Sequence, residues 1–341
     1  MRTIGTLILR FGIIEFFSIF FVAVNILTFT LYVKYRQRTK IRPIVKAILI
    51  ILTLTWGGIG AFFGYIKNKA MYRGFRFVIA VGVVISLIPM IHITHGLTLD
   101  RAVRYEEIEF TSENWPPELN GYRIAFMTDM HTIPHETMRN VAAELNNRNL
   151  DLLLLGGDFS MRDAHYLGTL KEIAQISTTD GIFGVEGNHD AYYRLFSAME
   201  ELGIAPLDNS GTHVRDGFYL AGVKDMWNRN PNIEAAISGA LPDDFILLVS
   251  HNPDVLMIQP ATGVDLVLSG HTHGGQITFF GFPMYLLRGS ITNYGTRFGY
   301  GFSCSADEIP VFVSRGIGVY YSIPRVFSRP EVVIFIMYAK G

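Results

Sequence analysis

Apolar and polar positions divide this chain into two regimes. In the first hundred residues the apolar runs are long: Phe16 to Val33 and Ala47 to Ile66 carry no charge, and Phe77 to Leu97 has only His92 and His95 as ionisable groups. Each run has the length that crosses a hydrocarbon core of roughly 30 Å, so three spanning helices are expected. A secretory signal explains the first run poorly, because two more follow and no small-residue cleavage pattern closes it. Gly60 and Gly64 stand four apart, a spacing that lets helices approach closely, Pro89 is expected to kink the third run, and His92 with His95 reads as an interfacial anchor.

From about Tyr105 the runs shorten and alternate with amphipathic stretches. Ser112 to Asn120, with Pro116-Pro117, reads as an exposed lead-in. Strands are expected at Arg123 to Thr128, Leu152 to Leu155 and Ile182 to Val185, with helices at Glu136 to Asn146, His165 to Ile176 and Tyr192 to Leu202. Phe218 to Val223, Phe245 to Ser250, Leu266 to Leu268, Val311 to Ser314 and Val332 to Met337 follow as strands with shorter connections. The expected organisation is a membrane region over residues 1–100, a linker over 101–121 and one folded domain over 122–341. The domain reads as an α/β sandwich of two or four layers, with parallel strands first and a more antiparallel second half.

Composition agrees with a membrane component: the hydrophobic share is 49% of 341 residues. A formal net charge of -1 provides no basic excess for gripping nucleic acid, and the single cysteine, Cys304, excludes an intrachain disulfide. Charge matters most at the flanks of the apolar runs. Lys34, Arg36, Arg38, Lys40, Arg42 and Lys46 crowd the first connection, and Lys67, Lys69, Arg73 and Arg76 the second. The stronger cluster favours the cytoplasmic side, which would place the segment after the third run there as well.

The chemistry gathers at the strand ends. The first strand runs into Asp129-Met130-His131, the next into Gly156-Gly157-Asp158, and the third into Gly187-Asn188-His189-Asp190. Two later strands deliver His251-Asn252 and Gly270-His271-Thr272-His273. In an open α/β sheet the strand ends form the ligand crevice, so residues far apart in sequence converge there. Carboxylates, imidazoles and one amide oxygen suit divalent ions such as Mn, Fe or Zn.

These five motifs, Asp-x-His, Gly-Asp, Gly-Asn-His-Asp, a single His and Gly-His-x-His, resemble those of the calcineurin-like metallophosphoesterase superfamily, over roughly Arg123 to the C-terminus. Gly270 to Gln276 and Ser314-Arg315-Gly316-Ile317-Gly318 are similar to the membrane-associated bacterial branch. The resemblance implies a sandwich of two mixed sheets flanked by helices, here preceded by an all-α transmembrane region, in a protein of the bacterial inner membrane. It implies that Asp129, His131 and His273 hold one divalent ion, that Asn188, His251 and His271 hold another, and that Asp158 bridges them. Manganese leads among the candidate metals, with iron or zinc next. Two cations about 3.5 to 4 Å apart would activate a bridging hydroxide for attack on phosphorus, and His189 would protonate the departing oxygen.

One departure bears on the reaction. The superfamily's protein phosphatases carry an Asp three residues after the Gly-Asp ligand and an Arg one further; here those positions are Met161 and Arg162. Arg162 is expected to meet a phosphate, while the carboxylate that would orient His189 is missing, with Asp163 or Asp190 as substitutes. That favours a phosphodiester or pyrophosphate over a phosphoprotein monoester. After His273 comes an apolar connection, with Ile277, Phe279, Phe280, Phe282, Met284 and Tyr285. It reads either as a hairpin packed on the core or as a lip for an acyl chain, with Phe279 and Phe280 touching a lipid-linked substrate such as UDP-diacylglucosamine. A phosphodiesterase of soluble substrates and a non-catalytic metal-binding membrane module are the competing readings.

Overall fold

The computed structural model describes residues 102–131, 133–161, 166–190, 192–227, 230–278, 280–282, 297–319 and 325–341. The three apolar runs, Arg162 and Phe279 lie outside them. Among the described residues no helix is long and apolar enough to cross a membrane.

Two six-stranded sheets face each other. The first has the order β1 (Arg104–Ser112), β12 (Glu331–Ala339), β2 (Tyr122–Met127), β3 (Leu152–Leu155), β4 (Ile182–Gly184) and β5 (Ile204–Pro206). The second has the order β10 (Gly301–Cys304), β11 (Pro310–Val313), β9 (Leu266–Ser269), β8 (Phe245–Val249), β7 (Phe218–Gly222) and β6 (Ser210–Arg215). The period-2 alternation of the strands divides their side chains between two environments. Ile124, Phe126, Val333 and Phe335 point between the sheets and meet Phe245, Leu247 and Leu268 there. Their neighbours Ala125, Met127, Val332 and Ile334 point outward, under the helices.

Helices α1 (His135–Leu145), α2 (Tyr166–Ile173) and α3 (Tyr192–Glu201) cover the outer face of the first sheet. In α1 the buried residues are Met138, Val141, Ala142 and Leu145, the spacing that puts one apolar stripe on a helix. The short helix α4 (Ile233–Ile237) and the 3-10 turn Pro253–Met257 cover the second sheet through Ile233, Ala236, Val255 and Leu256. Four layers result, an α/β sandwich of two mixed sheets flanked by helices.

Strands β2 to β5 all pair parallel, and the antiparallel pairs come with the second half of the chain: β6·β7 and β10·β11 at the edges of the second sheet and β12·β2 in the first, while β7, β8, β9 and β11 run parallel between those edges. The crossovers between β7, β8 and β9 pass through α4 and the Pro253–Met257 turn, which carry the chain over the sheet and return it in the same direction. One expectation is corrected: within residues 101–121, read as a linker, β1 pairs in parallel with β12 along its whole length. The following segment is fastened by Trp115, which is 1% exposed and packs its ring on Tyr122, Phe218 and Phe245.

Candidate metal centre

The parallel strands of both sheets end on one crevice. β2, β3 and β4 lead into the segments that carry Asp129, His131, Asp158 and Asn188; β8 and β9 lead into those carrying His251, His271 and His273. Single ligand atoms of Asp129, His131 and His273 lie within 4.8 Å of one another, and so do those of Asp129, Asp158 and His251. His131 Nε2 stands 2.9 Å from His273 Nε2. On the other side His271 Nδ1 stands 2.9 Å from Asn188 Oδ1 and 3.2 Å from His251 Nε2. Donors held about 2.1 Å from one cation, at right to tetrahedral angles, stand about 3.0 to 3.4 Å apart, so this packing of imidazoles fits cation binding.

Asp158 lies between the two groups. Its Oδ2 is 3.4 Å from His131 Nε2 and 3.3 Å from His251 Nε2, while Oδ1 accepts the His189 backbone N–H at 2.9 Å. His251 is oriented from behind: its Nδ1 is 2.8 Å from the Gly156 carbonyl, which can only accept. Nδ1 therefore carries a proton, and Nε2 is the ring atom turned to the crevice.

The backbone is bent to make these contacts. Asp129, His131, Asp158, His271 and His273 have φ of 55°, 41°, 55°, 70° and 53°, in the left-handed region. Such conformations cost about 1 kcal/mol or more for a residue with a side chain and persist where surrounding contacts enforce them. The enforcing contacts here are main-chain bonds. Asp129 N donates to Gly157 O and His131 N to Asp158 O, while Ile317 N and Gly318 N donate to the carbonyls of Thr128 and Asp129. The late Ser314-to-Gly318 segment thus clamps the Asp129 loop, and a Cβ on Gly318 would stand 1.8 Å from the Met130 carbonyl oxygen.

Charge follows the same design. Burial raises the carboxyls of Asp129 and Asp158, but neighbouring imidazoles outweigh it, His273, His131 and His251 at Asp129 and His251, His131 and His189 at Asp158, and hold both well below the usual carboxylate range. Burial opposes protonation of His251, yet Asp158 and Asp129 push its pKa well above the ordinary value. His273 goes the other way, lowered by burial, His131 and the Arg325 guanidinium. A site in which carboxylates borrow positive charge from imidazoles accepts cations in place of those protons.

The family assignment rests on where these groups stand. The Calcineurin-like phosphoesterase family model matches residues 122–275, a span containing all seven convergent groups. Residues 122–275 match a calcineurin-like phosphoesterase domain.

Curated relatives agree. A Danio rerio protein named Transmembrane protein with metallophosphoesterase domain is 28% identical over 255 residues, covering 68% of this chain and 56% of its own length. A Helicobacter pylori protein named Uncharacterized metallophosphoesterase is 29% identical over 227 residues, 63% of this chain and 59% of its own. Escherichia coli Phosphodiesterase YaeI is 27% identical over 246 residues, 67% of this chain and 84% of its own. The chain thus spans little more than half the length of the first two relatives.

The remaining site residues of the phosphoesterase domain are placed as follows. His189 is half-buried with its ring 5.4 Å from that of His131, and burial lowers its pKa. Asp190, one of the two substitutes for a missing carboxylate, accepts N–H bonds from Asp158, Phe159 and Gly187, which makes it a clasp between the two ligand loops. Asp163 lies outside the described residues. Phe280 is 50% exposed and packs on Phe327.

Three groups escaped sequence reasoning. Asp225, 1% exposed, follows β7 as the ligands follow their strands; the same strand-end rule would have found it. Burial raises its pKa. Trp227 brings its ring to 5.7 Å from that of His271. Arg325, also 1% exposed, donates to the carbonyls of Gly318, His273 and Ser328 behind the site. Nothing local in the sequence marks that role.

Proposed function

We propose that this chain is a metal-dependent phosphoesterase that hydrolyses a phosphodiester or pyrophosphate. The observation that carries the reading is the single crevice in which Asp129, His131 and His273 on one side and Asn188, His251 and His271 on the other converge about the Asp158 carboxylate. Asp129, His131 and His273 would hold one divalent ion, and Asn188, His251 and His271 the other, with Asp158 shared. Two such ions supply a water of lowered pKa and Lewis-acid charge at phosphorus. His189, fixed through its backbone to the shared carboxylate, stands where a proton is needed on the departing oxygen. Its half-buried ring favours the neutral form, which suits a leaving group that needs a hydrogen bond more than a strong acid. Manganese is the first metal to test, ahead of iron and zinc.

The finer reading places this chemistry at a bilayer, with the domain on the cytoplasmic face of a bacterial inner membrane and a lipid-linked substrate. The three apolar runs support it, as do the exposed rings of Phe280, Phe282 and Tyr300 in the segments after His273. The Danio rerio relative is itself named as a transmembrane protein.

The test compares bis(p-nitrophenyl) phosphate with p-nitrophenyl phosphate, using purified full-length protein with manganese and an Asn188→Ala control. Preferential turnover of the diester, lost in the variant, is expected. Absence of turnover under manganese, iron and zinc, with metal bound, would leave a binding module instead. For the lipid arm, Phe280→Asp is expected to slow a lipid-linked diester more than a soluble one; equal effects would sink it.

A further inference from the structure

We infer that Trp227 is a stacking platform for a planar aromatic arm of the ester, a nucleobase or aryl group, on the His271 side of the crevice. The inference deepens the phosphoesterase reading and rests on it.

The chain leaves β7 at Gly222 and turns beside the ends of β8 and β9, which deliver His251 and His271. Asp225 sets that turn: its buried carboxylate accepts the Trp227 backbone N–H, with Oδ2 at 2.7 Å. The indole is thereby fixed next to the centre, its ring 5.7 Å from the His271 imidazole at an interplanar angle of 68°. Trp227 nevertheless remains 46% exposed, whereas Trp115 is 1% exposed in the core. Single exposed apolar residues need no explanation, and Leu241 and Ile258 are of that kind. Trp227 differs because a buried carboxylate holds its main chain and its ring stands in contact with a metal-ligand candidate.

A diester has two arms, and the crevice has two unlike flanks. On the His273 flank Arg315 lies against Gly274 and over the Tyr300 ring, at 4.1 Å from its centroid, and the Tyr300 hydroxyl donates to the Gly281 carbonyl. Phe280 and Phe282 follow there, a broad apolar edge. On the His271 flank, among the described residues, stands the Trp227 indole. An indole loses little side-chain entropy on contact, and its planar face suits another planar face better than a flexible chain. Base-on-aromatic stacking is lost on substitution by alanine with an effect on the order of tenfold.

The experiment varies one arm and keeps the leaving group. Full-length manganese-loaded protein is assayed with thymidine 5′-(p-nitrophenyl phosphate) and with methyl p-nitrophenyl phosphate. The ratio of their kcat/KM values is expected to fall about tenfold in Trp227→Ala, through KM of the nucleoside ester, and to be largely kept in Trp227→Phe. An unchanged ratio in Trp227→Ala would overturn the platform. Should the wild type turn over neither ester, the phosphoesterase reading fails and binding decides the platform separately. Indole emission is then titrated with thymidine 5′-monophosphate in wild type and Trp227→Phe, with Trp56 and Trp115 as constant background. Saturable quenching found only in the wild type would support the platform; its absence would overturn it.

Discussion

Replacing Gly187 by alanine isolates the geometry of the shared carboxylate. Gly187 has no left-handed φ, so alanine can adopt its backbone conformation, and only the space beside it is at stake. A Cβ there would stand 2.2 Å from Asp158 Oδ1 and 2.5 Å from Asp158 N, where real Cβ contacts essentially never fall under 3.0 Å. The carboxylate oxygen must therefore retreat by about 0.8 Å, several times the roughly 0.2 Å tolerance of a metal–ligand distance. Rotating it away breaks its bond to His189 N and moves Oδ2 from its place between His131 and His251. Parting the two loops instead strains the three N–H bonds of Asp190. A misplacement of that size costs on the order of 100-fold in rate, about 2.7 kcal/mol of transition-state stabilisation. The assay is manganese content per chain by mass spectrometry after desalting, with kcat/KM on bis(p-nitrophenyl) phosphate and far-ultraviolet circular dichroism. Metal content is expected to fall and the rate to drop about 100-fold while the dichroism is unchanged. Wild-type metal content with a rate within threefold would refute the bridging role of Asp158.

Three further outcomes follow from the packing. Asp190→Asn cannot accept all three N–H bonds, and manganese affinity measured by calorimetry is expected to weaken about tenfold with the fold intact; unchanged affinity would remove Asp190 from the support of the site. Arg325→Met leaves the buried carbonyls of Gly318, His273 and Ser328 without their guanidinium donor, so the thermal midpoint is expected to fall by roughly 6 to 12 °C for about 3 kcal/mol, and an unchanged midpoint would show that the guanidinium contributes nothing net. Phe335→Ala opens a cavity between the sheets where the ring packs edge-on against Phe312, and urea unfolding is expected to show a loss of about 3 to 5 kcal/mol; a loss below about 1 kcal/mol would contradict the burial of that ring.

What could be read in advance depended on whether a property is local. The Gly-Asn-His-Asp and Gly-His-Thr-His stretches announce themselves because ligand types and tight turns coincide within a few residues, and β2, β3 and β4 because their apolar runs are dense. β1 was hidden by Glu106, Glu107 and Glu109, which suit an edge strand but lower its apolar contrast; Ile108 and Phe110 carry its contact with the core. The parallel centre of the second sheet was less legible than the βα units of the first because α4 spans five residues and the Pro253–Met257 turn another five, too few for a helical period to show. Asp225 was legible only through the strand-end rule, since no ligand-type residue stands beside it. Least legible was the left-handed backbone at Asp129, His131, Asp158, His271 and His273. Asp and His tolerate that conformation better than most residues, but their presence does not require it. The Ser314-to-Gly318 segment imposes it at Asp129 from far along the chain, through Gly318 N on the Asp129 carbonyl. The cost of that strain is therefore met by the contacts that form when the two sheets come together.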